Sequence, residues 1–202
     1  MIRKKTMTSP TVIALSLVLA VSALGCAGAT GPGTGATTGG AAAAGDSHAL
    51  IGKPAPDFSL ASVNGQGKFS LASMKGKVVI VDFWATWCEP CRHATRAYQA
   101  LAARYPGRVV VIGVSVDDEP DGIADFARQT GATFPLVWDR GGRVAERYRP
   151  PSMPTSYVLG RDGVVRYVHS GWEPGDAERI EAEVARLLRL ATRRGTMMAL
   201  PS

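Results

Sequence analysis

The sequence predicts an α/β fold in which two buried strands flank a helix. Residues 77–84 and 108–116 are near-continuous runs of apolar and β-branched residues, a pattern typical of strands buried on both faces of a sheet. Between them, residues 89–105 follow a helical pattern that ends at a Pro-Gly pair. A strand, a helix and a second strand at this spacing predict a parallel crossover unit. The 202 residues suffice for one domain with extensions.

The first 50 residues have the composition of a leader and a linker. Residues 1–26 start with basic side chains and continue into an apolar stretch, which is typical of a secretory signal. The residues before Cys26 resemble the lipobox of bacterial lipoproteins, which implies that this cysteine is acylated. A plain signal peptide or an uncleaved anchor is the alternative. Residues 27–50 are rich in Gly, Ala and Thr and predict a flexible linker. We therefore expect an exported protein that is lipid-anchored on the periplasmic or extracytoplasmic face of a bacterial membrane.

The remaining elements follow from turn signals and periodicity within a domain over residues 51–194. Asn64 to Gly67 is a turn signal between two short apolar pieces and predicts an N-terminal β-hairpin. Gly160 to Gly163 predicts a second hairpin. Other expected elements are a helix over 120–130, an extended piece over 135–138, helical turns over 142–148, strands over 155–159 and 164–168, and an amphipathic helix over 176–194. We expect residues 195–202 to be a disordered tail.

The charge of the chain does not suggest a nucleic-acid partner. The formal net charge is +6, and three of these charges, Arg3, Lys4 and Lys5, belong to the predicted signal, so the remainder carries +3. Basic residues interleaved with aromatic ones, as in nucleic-acid-binding surfaces, are not apparent. We expect a monomer.

Cys88 and Cys91 form a Cys-x-x-Cys pair at the predicted start of a helix, directly after a buried strand. The unpaired N–H groups and partial positive charge of a helix N-terminus favour a thiolate at Cys88. A spacing of three residues puts both sulfurs on one helix face, close enough to form a disulfide. Pro90 fits the first turn, where its missing N–H costs no hydrogen bond.

Other functions for the cysteine pair fit the sequence less well. A structural disulfide is a poor interpretation because such a small ring constrains the unfolded chain only slightly. A zinc site would need four ligands, and only Cys88, Cys91 and His93 lie close together in the sequence. Covalent haem attachment would need a histidine where Arg92 stands. We therefore expect neither a metal nor a cofactor other than the redox-active disulfide itself.

Residues 81–92, Val-Asp-Phe-Trp-Ala-Thr-Trp-Cys-Glu-Pro-Cys-Arg, resemble the thioredoxin superfamily and, within it, the exported ResA/TlpA-like branch. Residues 51–58 and the Met-Pro-Thr of 153–155 extend the resemblance, which covers roughly residues 50–190. The resemblance implies a thioredoxin fold, with a central mixed β-sheet flanked by helices and an added N-terminal β-hairpin. It also implies a thiol–disulfide oxidoreductase.

The resemblance also implies roles for individual residues. Cys88 would be the nucleophile, with an exposed sulfur, and Cys91 would resolve the mixed disulfide. Pro154 matches the cis-proline of the superfamily, and its cis bond would expose the Met153 backbone to pair with a substrate strand. The expected substrate-binding residues are Trp87, Glu89, Pro90, Met153 and Pro154.

Asp82 is a carboxylate in a strand that we expect to be buried on both faces, so desolvation should raise its pKa. In thioredoxin proper, an aspartate at this place assists proton transfer at the second cysteine, which makes Asp82 a candidate general base for Cys91. A hydrogen-bonded structural acid is the alternative. The ResA/TlpA-like branch more often has Asn here and a glutamate where this chain has Ala94. We expect Phe83 and Trp84 in the core, and His93 and His169 at the surface.

The combined interpretation is an exported enzyme that reduces or exchanges protein disulfides and receives electrons from a membrane donor, with cytochrome c maturation as the family role that fits best. A peroxiredoxin-like thiol peroxidase is one alternative, because the Lys-Pro-Ala-Pro-Asp-Phe opening occurs there too. Thr86, however, lies one residue too close to Cys88 for the Thr-x-x-Cys of those enzymes. A non-enzymatic chaperone or assembly module is the other alternative.

Overall fold

The structure, a computed structural model, describes the backbone of residues 48–197 and the side chains of residues 48–190. The predicted signal, Cys26, most of the predicted linker and the end of the predicted tail lie outside these described residues. The linker prediction ended at residue 50, but His48 and Leu50 already contact the domain. His48 Nε2 lies 3.3 Å from the Arg149 carbonyl oxygen, and Leu50 packs on the core. Ordered structure therefore begins at least as early as His48.

The described chain forms seven strands and four α-helices. They are β1 (Ser59–Ala61), β2 (Lys68–Ser70), β3 (Val78–Trp84), α1 (Glu89–Arg104), β4 (Val109–Ser115), α2 (Ile123–Thr130), β5 (Leu136–Trp138), α3 (Arg143–Tyr148), β6 (Thr155–Leu159), β7 (Val165–Ser170) and α4 (Asp176–Met197). Short 3₁₀ turns occupy Leu71–Met74 and Arg140–Gly142.

Five strands form the central sheet in the order β5-β4-β3-β6-β7. β3 pairs with β4, and β4 with β5, in parallel, whereas β6 pairs antiparallel with β3 and β7. β1 and β2 form a separate antiparallel hairpin. The mixed sheet and the N-terminal hairpin confirm the predicted fold class.

Most predicted element boundaries lie within two residues of the structure, and two differ by three residues. α2 begins at Ile123 rather than at residue 120, because Gly122 has a left-handed backbone conformation (φ 86°) that ends the preceding turn. The last helix continues past residue 194 to Met197, so the first three residues of the predicted tail are helical. Within residues 48–197, no helix has the length and apolar character needed to span a membrane.

The sheet separates two apolar clusters, and alternating residues of β3 supply both. Ile80 and Trp84 face α1, α2 and α4, together with the two cysteines. Val79, Val81 and Phe83 face the opposite side, where α3 and the hairpin region pack. All seven β3 residues are buried. This double burial explains the near-continuous apolar run in the sequence and confirms Phe83 and Trp84 as core residues.

Candidate functional site

The site lies where β3 ends and α1 begins, at the carboxyl end of the parallel strands. Cys88 is the N-cap of α1, with extended backbone angles, and its N–H donates to the Ala85 carbonyl oxygen at 3.2 Å. Pro90 stands in the first turn of α1, as the sequence predicts. Cys88 is therefore held beside the free N–H groups of a 16-residue helix.

Cys88 and Cys91 form a disulfide in the structure, with their Cα atoms 5.4 Å apart. Cys91 is fully buried in the cluster beneath α1, which fits a second cysteine that is reached only through the first. The expectation that the Cys88 sulfur is exposed is wrong for this state, since Cys88 is only 4% exposed. Bonding to the buried Cys91 draws the Cys88 side chain into the core cluster.

Three of the expected substrate-binding residues surround the cysteines at the surface. Trp87 is 71% exposed, an unusual environment for a large aromatic side chain. Glu89 and Pro90 are also exposed. Glu89 forms an ion pair with Arg92 at 3.2 Å, and the Arg92 guanidinium lies 5.0 Å from the centre of the Phe126 ring. These contacts connect the first turn of α1 to α2.

Asp117 is a residue of the site that sequence reasoning missed. Its two carboxylate oxygens each accept from the Thr86 backbone N–H at 3.1 Å, one accepts from the Thr86 hydroxyl at 2.8 Å, and the other accepts from the Ser115 hydroxyl at 2.7 Å. Asp117 thus holds the segment that delivers Cys88 to the helix. The acidic pair after β4 was the only signal in the sequence, and it did not indicate the contact.

The Met153–Pro154 peptide bond is cis, as the resemblance implies. Phe83 pairs with Thr155 in the ladder between β3 and β6, which places Pro154 level with Trp84 at the end of β3 from which the cysteine segment leaves. Met153 packs against the cluster that contains Cys88 and Cys91. Among residues 48–197, the Met153 backbone N–H and C=O have no hydrogen-bond partner.

Asp82 is buried beneath α1, on the same sheet face as the cysteines. It is 1% exposed, and burial raises its pKa well above the ordinary value for a carboxyl group. One of its oxygens, Oδ1, finds no hydrogen-bond partner among the described residues. In the described part of the chain, this oxygen therefore lacks the hydrogen bond that the alternative of a hydrogen-bonded structural acid would give it. Ala94, where a glutamate was expected from the resemblance, is fully buried.

Polar side chains continue from Asp82 across the sheet. Ser156 on β6 is paired with Asp82 on one side and with His169 of β7 on the other. The Tyr98 hydroxyl donates to Ser156 Oγ at 2.8 Å, and His169 Nε2 lies 2.7 Å from Glu183 Oε2. His169 is 8% exposed, so the expectation that it is a surface histidine is wrong, because α4 covers this end of β7. His93 is exposed, as expected.

Comparisons with known proteins agree with this geometry. The chain matches the AhpC/TSA family over residues 51–168, more than half of its length. It is 39% identical over 123 residues to the thioredoxin-like protein YneN of Bacillus subtilis, covering 59% of this chain and 71% of YneN. It is 34% identical over 116 residues to the thiol-disulfide oxidoreductase ResA of Bacillus thuringiensis, covering 57% of this chain and 66% of ResA.

Solved structures show the same fold. A Chlorobium tepidum protein assigned as the thiol:disulfide interchange protein DsbE superposes with a TM-score of 0.65 at 33% identity, covering 68% of this chain and 97% of that one. StoA from Bacillus subtilis superposes with a TM-score of 0.54 at 25% identity, covering 63% of this chain and 96% of StoA. With a cysteine pair at the start of α1 and a thioredoxin-like sheet beneath it, the chain belongs to the AhpC/TSA family and, within it, to the thioredoxin-like thiol–disulfide oxidoreductases.

Proposed function

We propose that this thiol–disulfide oxidoreductase reduces disulfides of exported proteins outside the cytoplasm, using the Cys88–Cys91 dithiol. The observation that carries the proposal is the position of the pair. Cys88 caps a helix at the surface end of the site, and its disulfide partner Cys91 is fully buried one turn further on. A pair arranged in this way can attack a substrate and then release it without exposing a second thiol.

The reaction consists of two thiol–disulfide exchanges. The Cys88 thiolate attacks one sulfur of the substrate disulfide, which forms a mixed disulfide and releases the other substrate sulfur as a thiolate. Cys91 then loses its proton and attacks Cys88, forming the Cys88–Cys91 bond seen here and releasing the second substrate sulfur. The substrate gains two electrons and two protons, and the protein loses them.

The surface around the pair supports a protein substrate. Trp87 presents an exposed aromatic face next to Cys88, and Glu89 and Pro90 extend the exposed area. The Met153 backbone lies level with the end of β3, and its N–H and C=O have no hydrogen-bond partner in the described part of the chain, so an extended substrate segment can pair with them. Cytochrome c maturation is the pathway that we propose, on the basis of the ResA-like sequence.

Trapping tests the proposal in cells that produce the full chain. Cys91→Ser leaves Cys88 free to form mixed disulfides but unable to release them, so native substrates should accumulate as complexes that reductant dissolves. The matched control is Cys88→Ser/Cys91→Ser, which should trap none. If Cys91→Ser captures no more protein than the double variant, the proposed function is wrong. Full activity of the double variant in cells would favour the chaperone alternative.

The peroxidase alternative gains no support from the position of Thr86. Its hydroxyl donates to Asp117 at 2.8 Å and is therefore engaged away from the cysteines. We expect the reduced protein to consume hydrogen peroxide no faster than a small dithiol does. Rapid peroxide turnover without a protein substrate would contradict the proposal.

We further propose that the chain is exported and anchored through acylated Cys26, and that a membrane-bound donor reduces its disulfide again. The basic and apolar pattern of residues 1–26 supports export, and the lipobox-like residues before Cys26 support acylation. Cys26→Ser should move the protein from the detergent phase to the aqueous phase in a detergent-partition assay. Unchanged partitioning would reject the lipid anchor. We propose that the folded domain acts as a monomer, which light scattering would check.

A further inference from the structure

The resolving step of the proposed reaction requires a proton to leave a closed region of the core. Cys91 is fully buried, and Asp82, on the face of the sheet that α1 covers, is only 1% exposed. A carboxyl group that accepts the Cys91 proton must pass it on before the next turnover. In a region without solvent contact, that transfer needs proton-carrying side chains.

The side of Asp82 towards β4 offers no such side chain. Asp82 is level with Gly113 in the parallel ladder. A Cβ atom at Gly113 would lie 2.6 Å from Leu136 Cδ2 and 2.9 Å from Trp84 Nε1, so these two side chains fill the space above the glycine. Neither an aliphatic carbon nor an indole N–H can accept a proton at physiological pH.

The side towards β6 and β7 carries hydroxyl, imidazole and carboxyl groups. Ser156 is the direct cross-strand neighbour of Asp82, and His169 is the direct neighbour of Ser156. Cross-strand neighbours in an antiparallel ladder have Cβ atoms about 4.5–5.5 Å apart, on the same face of the sheet. Asp82, Ser156 and His169 therefore form a row across three strands, beneath α1 and α4.

Two hydrogen bonds fix the middle and the far end of this row. The Tyr98 hydroxyl donates to Ser156 Oγ at 2.8 Å, which leaves the Ser156 hydroxyl hydrogen free to be donated to another acceptor. Among the described residues, Asp82 Oδ1 has no hydrogen-bond partner, and the Ser156 hydroxyl bonds neither to Asp82 nor to His169 in this oxidised state. The Ser156 hydroxyl must therefore turn towards each of these ladder neighbours in succession to pass a proton between them. At the far end, His169 Nε2 lies 2.7 Å from Glu183 Oε2, and the Glu183 side chain is 18% exposed. The row thus begins at a buried acceptor and ends at a group that meets water.

The charged groups around the row do not interrupt it. The titratable groups in contact with the row are the Tyr98 hydroxyl of α1, the His169 imidazole of β7 and the Glu183 carboxylate of α4. Asp176, at the start of α4, is bonded to Arg179 and to the Glu173 backbone, and so is occupied away from the row.

We propose that Ser156, His169 and Glu183 carry the proton between Asp82 and solvent during resolution by Cys91, with Tyr98 orienting the Ser156 hydroxyl. In this step the Cys91 S–H bond breaks, Asp82 takes the proton, and the Cys91 thiolate displaces the substrate sulfur from Cys88. The proton on Asp82 then leaves through the row to water. The four residues act through Asp82 and are positioning residues. The inference rests on the two-step reaction of the proposed function.

A chromogenic aromatic disulfide separates the two exchanges without a protein substrate. Mixed with the reduced protein, it gives a first thiolate release when Cys88 attacks and a second when Cys91 resolves. In weak buffer, we expect His169→Gln to slow the second release by about threefold or more and to leave the first within about twofold of wild type. Added imidazole, a diffusible proton carrier, should restore the second release.

Two further variants keep the test decisive. Glu183→Gln should slow the second release in the same way if His169→Gln fails to fold, and Ser156→Thr, which keeps the hydroxyl, should retain the wild-type rate. In an Asp82→Asn background, His169→Gln should have no additional effect on the second release, because residue 82 then accepts no proton that the row would have to carry to solvent. The inference would be overturned if wild type, His169→Gln and Glu183→Gln all gave the second thiolate release at the same rate. It would also be overturned if His169→Gln still slowed this release in the Asp82→Asn background, or if added imidazole did not restore the rate.

The outcome is independent of trapping. If Cys91→Ser captures proteins but the second release is unchanged in the His169 and Glu183 variants, the proposed function stands and the proton row is rejected. If His169→Gln slows the second release and imidazole restores it, but Cys91→Ser captures no proteins, the proton row stands and the proposed substrates are rejected.

Discussion

Asp82 shows how burial alone gives a residue its chemistry. An ionised carboxylate in the core loses its hydration, and this one gains no positive partner and leaves Oδ1 without a hydrogen bond among the described residues. Desolvation therefore holds its pKa well above the usual value, which supports the proposed proton exchange with the Cys91 thiol. The same desolvation makes Asp82 costly for stability when it ionises.

This cost predicts how stability depends on pH. The unfolded chain releases the Asp82 proton near its ordinary pKa of about 3.9, whereas the folded protein keeps the proton to higher pH. Between the pKa of Asp82 in the unfolded chain and its higher pKa in the folded protein, the unfolded state binds fewer protons. The free energy of unfolding therefore falls as pH rises through this range. Asp82→Asn removes this loss.

Urea unfolding of the oxidised protein at pH 4 and pH 8 tests the prediction. The stability gained by Asp82→Asn over wild type should be larger at pH 8 than at pH 4, because the wild-type carboxyl must be ionised in the core or keep its proton at pH 8. Asp121→Asn, at an exposed position, should show no such increase. A gain from Asp82→Asn that is equal at both pH values would contradict the burial argument.

At the scale of elements, the junction of β3 and α1 assembles the site from local and distant parts. β3 and the start of α1 supply both cysteines from one contiguous stretch, which is why sequence reasoning located them. The Asp117 contacts to Thr86 come from a residue 31 positions away, and no periodicity reports such a pairing. The cysteine motif thus depends on a clamp from the end of β4.

Other differences between prediction and structure also arise from tertiary contacts. β3, α1 and β4 were predictable because buried strands and an amphipathic helix have distinct patterns. The burial of His169 depends on where α4 crosses β7, and the sequence of β7 alone carries no sign of it. The low exposure of Cys88 accompanies its bond to the fully buried Cys91, and the motif alone does not report which redox state the structure shows. The burial of Asp82 was predictable because it lies within the continuous apolar run of β3.

Asp117→Asn tests the clamp. The amide has the shape of the carboxylate but turns one acceptor into a donor that faces the donors of Thr86 or Ser115. We expect the free energy of unfolding to fall by about 1–3 kcal/mol, the range for a buried hydrogen-bonding group left unsatisfied.

The adjacent, exposed Asp118 supplies the control, because Asp118→Asn should change stability by less than about 0.5 kcal/mol. Hydrogen exchange should also show faster exchange of the Thr86 amide in Asp117→Asn. Equal stabilities for the two variants would mean that the clamp does not hold this segment.

At the scale of the whole molecule, one side of the sheet carries the chemistry. The cysteines, Asp82 and the row to Glu183 lie between the sheet and the helices α1 and α4, whereas α3 and the hairpin region cover the opposite face. α4 contributes both the apolar wall of this layer and the carboxylate that ends the row. Packing of α4 therefore supports stability and site geometry together.

Ile180→Ala tests the contribution of α4. Ile180 is almost fully buried in the cluster that includes Cys91, so its truncation leaves a cavity that should lower the free energy of unfolding by about 2–5 kcal/mol. Leu190→Ala in the same helix is the control, since Leu190 is 54% exposed and its truncation should cost less than about 0.5 kcal/mol. Denaturant unfolding of the oxidised proteins measures both. Similar losses for the two variants would show that α4 is not anchored through its buried face, and the layer that encloses the cysteines would then need another support.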